Sequence, residues 1–272
     1  MKLQETFYLW GQSPNSHYGY GFGESRMTPM EGCRFFGIDR CCRVAMGGVP
    51  KPPFDEESRA LAPLKEVIWS IVGPAAMTSH DDGRGDLDEV IRQARMFPNI
   101  TGGVLDDFFV HEARRKAFPP EKLENIRREM REKVGRPLDL WVVVYEINLD
   151  LPLRDHLAVC DVATFWTWRS SQNLPDAAKN FDRFCEMTPG KRHMNGLYLY
   201  DYGNHAPLPM ELMKRQCALY EKWLLEGRSE GLIVCSNCCA DVGLETVPWV
   251  RDWLCEIGQE EISIPGNRSK TE

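Results

Sequence analysis

No stretch of the chain comes near the ~18 uninterrupted apolar residues that a membrane-spanning helix requires. The N-terminus, MKLQETFYLWG, passes straight into a strand-like run, without an apolar segment of signal-peptide length or a small-residue cleavage site. The expected location is therefore the cytoplasm, with no membrane partner. Lys/Arg-rich runs are missing too. With 33 Lys and Arg against 40 Asp and Glu, the net charge is −7, and nucleic acid is not an expected partner. The basic clusters at 114–116 and 127–131 lie among acids in helical segments and read as solvated helix faces.

Metal and nucleotide signatures are equally sparse. The 10 cysteines are scattered through periodic apolar segments, where they read as reduced and mostly buried thiols. Cys235, Cys238 and Cys239 give the one metal-like spacing, and no second pair completes a zinc site. There is no His-x-His or Glu-x-x-His. The segment SHDDGRGD (79–86) lacks EF-hand spacing and reads as a loop capping a helix. GYGFGES matches a dinucleotide-binding turn in part, but it begins at Gly19 in a long loop, and no acid follows on a second strand. No cofactor and no metal is expected from these patterns.

What the sequence does have is a repeated change of apolar period. Runs of strand length are expected at 6–10, 41–46, 68–72, 100–109, 140–147, 162–168, 194–202 and 231–236. Helix-length amphipathic stretches follow them, at 29–37, 56–67, from Asp86, and at 119–134, 153–159, 175–186, 209–226 and 244–257. Asp86 with Glu89 three residues later predicts a capped helix start. Strands such as WVVVY suit a parallel sheet buried on both faces. Eight strands alternating with eight helices, without a linker, predict a single (β/α)8 barrel of the TIM type over residues 1–258. A polar C-terminal tail at 259–272 is expected to fray.

Such barrels place their chemistry where the strands end. The predicted ends are Trp10-Gly11-Gln12, Met46-Gly47-Gly48, Val72-Gly73-Pro74 and Asp106-Asp107-Phe108, then Tyr145-Glu146, Trp166-Thr167-Trp168, Tyr200-Asp201-Tyr202 and Ser236-Asn237-Cys238. Acids, aromatics and amides collect there, while the strands are nearly free of charge. Side chains alternate along a strand, so one of Asp106 and Asp107 is expected in the mouth and the other outside it. Glu146 shares parity with Val142 and Val144, and Asp201 with Leu197 and Leu199. If those aliphatics fill the barrel, both acids face inward. The bland reading is that each acid caps the following helix or pairs with an Arg.

Paired carboxylates can hydrolyse a glycosidic bond, one as acid and the other as nucleophile or base. Asp106, Asp107, Glu146 and Asp201 are the candidate catalytic residues. Trp10, His17, Tyr18, Trp166, Trp168, Tyr202 and Asn237 are candidate substrate-binding residues, with Tyr20 and Phe22 as further aromatic platforms. The expected partner is a small-molecule or oligosaccharide substrate. His17, His80, His111 and His205 all fall in loops on the same side of the barrel. With Glu146 and an Asp they open an alternative, a divalent-metal-dependent sugar isomerase or epimerase. A non-catalytic sugar-binding or scaffold barrel is the third reading.

The segments GGVLDDFF (102–109), LYLYDYGN (197–204) and GLETVPWVRDWL (243–254) resemble a group of uncharacterised bacterial (β/α)8-barrel proteins similar to glycoside hydrolases. Acids on strands four, five and seven are also similar in placement to those of the α-amylase superfamily. That resemblance implies Asp106 or Asp107 as nucleophile, Glu146 as acid/base and Asp201 as stabiliser. The superfamily's Arg two residues before its strand-four Asp is replaced here by Val104 or Leu105, and its extra domains are not expected.

Overall fold

A computed structural model describes residues 1–21, 23–72 and 86–262. Eight parallel strands form a closed barrel: β1 (Phe7–Gln12), β2 (Arg40–Val44), β3 (Glu66–Val72), β4 (Ile100–Leu105), β5 (Asp139–Tyr145), β6 (Val162–Trp166), β7 (Arg192–Tyr198) and β8 (Gly231–Cys235). Each strand pairs with its sequence neighbours, and β1 closes the ring against β8. The surrounding helices are α1 (Pro29–Phe36), α2 (Asp55–Leu61), α3 (Leu87–Met96), α4 (Pro120–Val134), α5 (Arg154–Ala158), α6 (Ala177–Met187), α7 (Met210–Leu225) and α8 (Thr246–Ile257). The fold is the expected (β/α)8 barrel. Among the described residues no helix is long and apolar enough to cross a membrane.

Local sequence explains the helix limits. Thr28 accepts from the Glu31 N–H while Glu31 reaches back to Thr28, and Pro29 sits where its missing N–H is harmless. Gly37, at φ 67°, ends that helix in a conformation other residues avoid. Asp86 does stand at the start of α3, but Glu89 turns to the Phe54 N–H (2.7 Å) and to Arg92 rather than to the helix start. Helix α2 stops at Leu61, well short of the expected 67, because 66–72 is claimed by β3.

The barrel interior is aromatic, and this decides which strand residues reach the mouth. Tyr8 meets Trp141 at 5.3 Å between ring centroids, Trp10 meets Trp166 at 5.3 Å, and Trp166 meets Tyr198 at 4.9 Å. A Cβ on Gly196 would lie 1.9 Å from the Trp166 ring, so the indole occupies the space that a glycine leaves open. Phe165 instead packs outward on Phe181 and Phe184 of α6. Val144 pairs in register with Phe165, and Leu197 lies one residue from Gly196 and from Tyr198. Alternation therefore turns Val142, Val144 and Leu197 toward the helices. The expectation that these aliphatics fill the barrel is overturned.

Six strands end before the sequence suggests: β2 at Val44, β4 at Leu105, β5 at Tyr145, β6 at Trp166, β7 at Tyr198 and β8 at Cys235. Beyond β7, Tyr200–Asp201 pairs with Ala206–Pro207 in a small hairpin. The basic clusters are not simply solvated. Arg114 is buried, Arg115 donates to the Phe109 carbonyl (2.6 Å), and Arg127 and Arg131 both bind Asp161. The first tail residues are tied down rather than frayed, with Leu3 N–H donating to the Glu260 carbonyl and Ile262 N–H to that of Met1, both at 2.9 Å. The expectations for Phe22, Gly73-Pro74, His80, the 79–85 part of the capping loop and tail residues 263–272 lie outside the described residues.

Candidate active site

A cavity of about 270 Å³ opens at the C-terminal end of the barrel. Trp10 and Gln12 enter it from β1, His17 and Tyr20 from the following loop, and Met46 and Gly47 from beyond β2. Asp106 and Asp107 follow β4, Tyr145 ends β5, Trp168 follows β6, and Tyr198, Tyr202 and Cys235 complete the wall. A larger hollow of about 480 Å³ lies on the barrel flank between Leu149, Arg154 and Met187. Its arginines are already engaged, Arg183 with Asp150 (2.5 Å) and Arg154 with the Glu186 carbonyl (2.8 Å). The mouth is where strand ends bring titratable groups together.

Both aspartates line this cavity, contrary to the expectation that only one would. Val104 pairs with Trp141 and faces inward, so Asp106 follows by alternation. Asp107 lies beyond the strand in a turn at φ 47°, and that left-handed backbone returns its side chain to the mouth. The Tyr145 hydroxyl donates to Asp107 Oδ1, and Arg114 Nη1 donates to the Asp107 carbonyl oxygen (3.1 Å).

The two carboxyls are held unequally. Burial pushes Asp106 well above the usual carboxylate range, and the neighbouring Asp107 charge pushes it further. Burial raises Asp107 as well, but the Tyr145 hydrogen bond and the nearby Arg114 charge oppose the rise. The pair thus favours a proton on Asp106 and a charge on Asp107.

Aromatic rings enclose the pair. Tyr20 stands edge-on to Tyr202 at 5.0 Å, Trp168 stacks on Tyr202 at 6.1 Å, and Tyr145 meets Trp168 at 5.6 Å. Burial lifts the Tyr20 phenol to about 12. His17 Nδ1 lies 2.8 Å from the Tyr202 hydroxyl and 3.3 Å from Ser236 Oγ, and burial lowers its pKa to about 3, so the ring is neutral.

Trp10, His17, Trp168, Tyr202, Asp106 and Asp107 are therefore brought together. Five other predicted residues are not among the lining groups. Tyr18 is 64% exposed on the rim. Trp166 lies beneath the mouth, its Nε1 donating to Thr164 Oγ1 at 2.7 Å. Asn237 is fully buried and joins two loops, donating to the carbonyls of Gln12 (2.9 Å) and Met27 (2.6 Å).

Glu146 and Asp201 fall on the outward parity, and instead of capping the helix that follows each or pairing with an Arg, both bind the loop after β6. Glu146 accepts from the Trp168 N–H (2.7 Å), the Arg169 N–H (3.1 Å) and Asn173 Nδ2 (2.7 Å). Asp201 accepts from the N–H groups of Ser170 (3.1 Å) and Ser171 (2.8 Å) and from Asn204 Nδ2 (2.7 Å). Both acids thereby hold the loop after β6, which carries Trp168 into the cavity.

Gln12, Met46 and Tyr145 stand at predicted strand ends but are not among the predicted site residues; Tyr198 and Cys235 fall inside the predicted strands seven and eight, short of the ends where a site is sought. The signal available for Gln12 and Tyr145 is parity with the interior residues Trp10 and Trp141. Among the described residues no three of His, Cys, Asp and Glu gather into a group that could hold a metal ion. His111 and His205 are exposed.

No protein-family model matches the sequence, and no curated protein matches it. Solved structures do resemble it. An α-L-fucosidase candidate from Bacteroides thetaiotaomicron superposes with a TM-score of 0.58 at 7% identity, over 96% of this chain and 98% of that one. A glycoside hydrolase family 18 N-acetylglucosaminidase from Paenibacillus barengoltzii gives 0.56 at 9% identity, over 93% and 99%. A β-glucuronidase from Ruminococcus gnavus gives 0.50 at 9% identity, over 84% of this chain and 42% of that one. Tryptophan synthase α-subunits from Pyrococcus furiosus superpose as well, one at 0.49. At such identities the likeness is one of fold. The chain is a (β/α)8 barrel similar in fold to glycoside hydrolases.

Proposed function

We propose that the protein is a carbohydrate-active hydrolase that cleaves a glycosidic bond with Asp106 and Asp107. The observation that supports this reading most is two adjacent carboxyls, Asp106 buried and Asp107 half-buried with a hydrogen bond from Tyr145, on one aromatic-walled cavity. Asp106, which keeps its proton, donates it to the leaving oxygen. Asp107, ionised and oriented by Tyr145, faces the positive charge that develops at the anomeric carbon and takes a proton from the water whose oxygen bonds that carbon as the glycosidic bond breaks. Trp10, Trp168 and Tyr202 supply apolar ring faces for a sugar. Glu146 and Asp201 act indirectly, by fixing the Trp168 loop. The reaction as proposed uses no cofactor, and a cavity of about 270 Å³ suits a single sugar unit.

A panel of chromogenic glycosides, assayed with and without a chelator, tests the proposal. Turnover that survives chelation and is lost in both Asp106→Asn and Asp107→Asn is the expected result. Saturable sugar binding without turnover would overturn it in favour of a binding barrel. Activity that requires added divalent metal would overturn it in favour of an isomerase or epimerase.

A further inference from the structure

The carboxyls among the described lining residues of the mouth cavity are Asp106 and Asp107, which share one proton and carry one negative charge between them in the proposed state. The Arg114 guanidinium lies outside that lining and donates to the Asp107 main chain. Much of the remaining wall is ring surface from Trp10, Tyr20, Tyr145, Trp168, Tyr198 and Tyr202. Indole and phenol faces carry partial negative charge and attract cations.

Gln12 adds an independent observation. The residue lines the cavity, is only 4% exposed, and its Oε1 accepts no hydrogen bond from any described residue. Its Nε2 is engaged with Met46 Sδ at 3.1 Å. The backbone is clamped from both sides, since Gln12 N–H donates to Asn237 Oδ1 (2.8 Å) and Asn237 Nδ2 donates to the Gln12 carbonyl (2.9 Å). A buried acceptor without a donor is costly, and a ligand that brings the donor relieves that cost. The wall therefore offers carboxyl oxygens and π faces, with an unsatisfied amide oxygen just beneath its surface. The complementary group is a cation rich in N–H donors and free of acceptors, which describes an ammonium.

We infer that the cavity takes an amino sugar, its protonated amine seated among Asp106, Asp107, Gln12 Oε1 and the aromatic wall. The inference rests on the carbohydrate reading of this same site and narrows it to one class of sugar. A uronate or sugar phosphate is disfavoured, because its charge would face the two aspartates.

Titration calorimetry of the full chain tests this, at a pH where the amines are protonated. The probes are glucosamine, galactosamine and mannosamine against glucose, N-acetylglucosamine and glucuronate. At least one amine should bind about tenfold or more tighter than glucose, with glucuronate weakest. Gln12→Leu should shrink that preference while the protein remains folded by circular dichroism. Glucose matching every amine to within about twofold, or glucuronate binding tighter, overturns the inference. Hydrolysis separates it from the reading beneath it. Turnover of neutral glycosides without any amine preference removes the inference and leaves the hydrolase. Amine-selective binding with no glycoside turned over removes the hydrolase and leaves the inference.

Discussion

Tyr145 at the end of β5 donates its hydroxyl to Asp107 Oδ1 on the turn that follows β4. The bond joins two neighbouring strands at the rim and selects between two adjacent carboxyls. It stabilises the charge on Asp107, whereas Asp106 meets desolvation and its neighbour's charge, countered in part by Arg114. Two like groups in one cavity thereby stand in different electrostatic surroundings.

Removing that bond tests its electrostatic role. Tyr145→Phe should let the Asp107 pKa climb further, because burial already raises it and the opposing hydrogen bond is lost. The acidic limb of the kcat/KM profile then moves to higher pH, with a loss of about 10–100-fold, as expected for a hydrogen bond to a charged group. An acidic limb that stays in place would show that Asp107 is not the ionising group.

Asp106→Asn should separate activity from stability. Turnover is expected to fall by about 10²–10⁴ through loss of the acid. Stability moves the other way. A carboxyl whose folded pKa is raised leaves the fold at full stability below its unfolded pKa, ~3.9, and costs stability as pH rises through the folded value. Asn cannot ionise and avoids that loss. The variant's Tm should therefore exceed the parent's increasingly from about pH 4 toward neutrality. A Tm difference independent of pH would contradict this.

Glu146→Gln should keep turnover within a few-fold while lowering Tm. The carboxylate serves two backbone N–H groups and Asn173, and the amide presents a donor to at least one of them. The cost is about 1–3 kcal/mol, readable by denaturant titration. Complete loss of activity in a stable variant would instead return Glu146 to the catalytic machinery.

Gly196→Ala probes the interior. The added methyl would lie 1.9 Å from the Trp166 ring, so the indole must move. We expect a loss of about 1–3 kcal/mol, partly recovered by adding Trp166→Phe. An unchanged unfolding midpoint in the single variant would mean that the interior is not packed on this indole.

The barrel was legible because eight alternations of period leave few other architectures, and GGVLDDFF located the acidic end of β4. The facing of each strand was not legible. Both faces of WVVVY are buried, so hydrophobicity alone does not say whether Val142 or Val143 points inward. The bulky Trp141 and Tyr145, matched by the small Gly196 opposite Trp166, were the available signal, and their parity excludes Glu146 from the mouth. Asp107 obeys no strand parity because its backbone is left-handed, a feature that Asp tolerates without announcing it in sequence. Nor does an apolar pattern reveal that Glu146 and Asp201 converge on one loop, since those bonds span 22 to 31 residues.

The indoles that wall the cavity have an optical consequence. Trp10 and Trp168 border the space a ligand would enter, whereas Trp69, Trp141, Trp166 and Trp223 are buried outside that lining. A bound sugar would change the surroundings of the first two, while Trp249 and Trp253, like the other four, lie outside that lining. The difference emission spectrum on titration then belongs largely to two tryptophans at the mouth. Replacing each by Phe in turn would assign the signal, giving the protein a label-free reporter of occupancy.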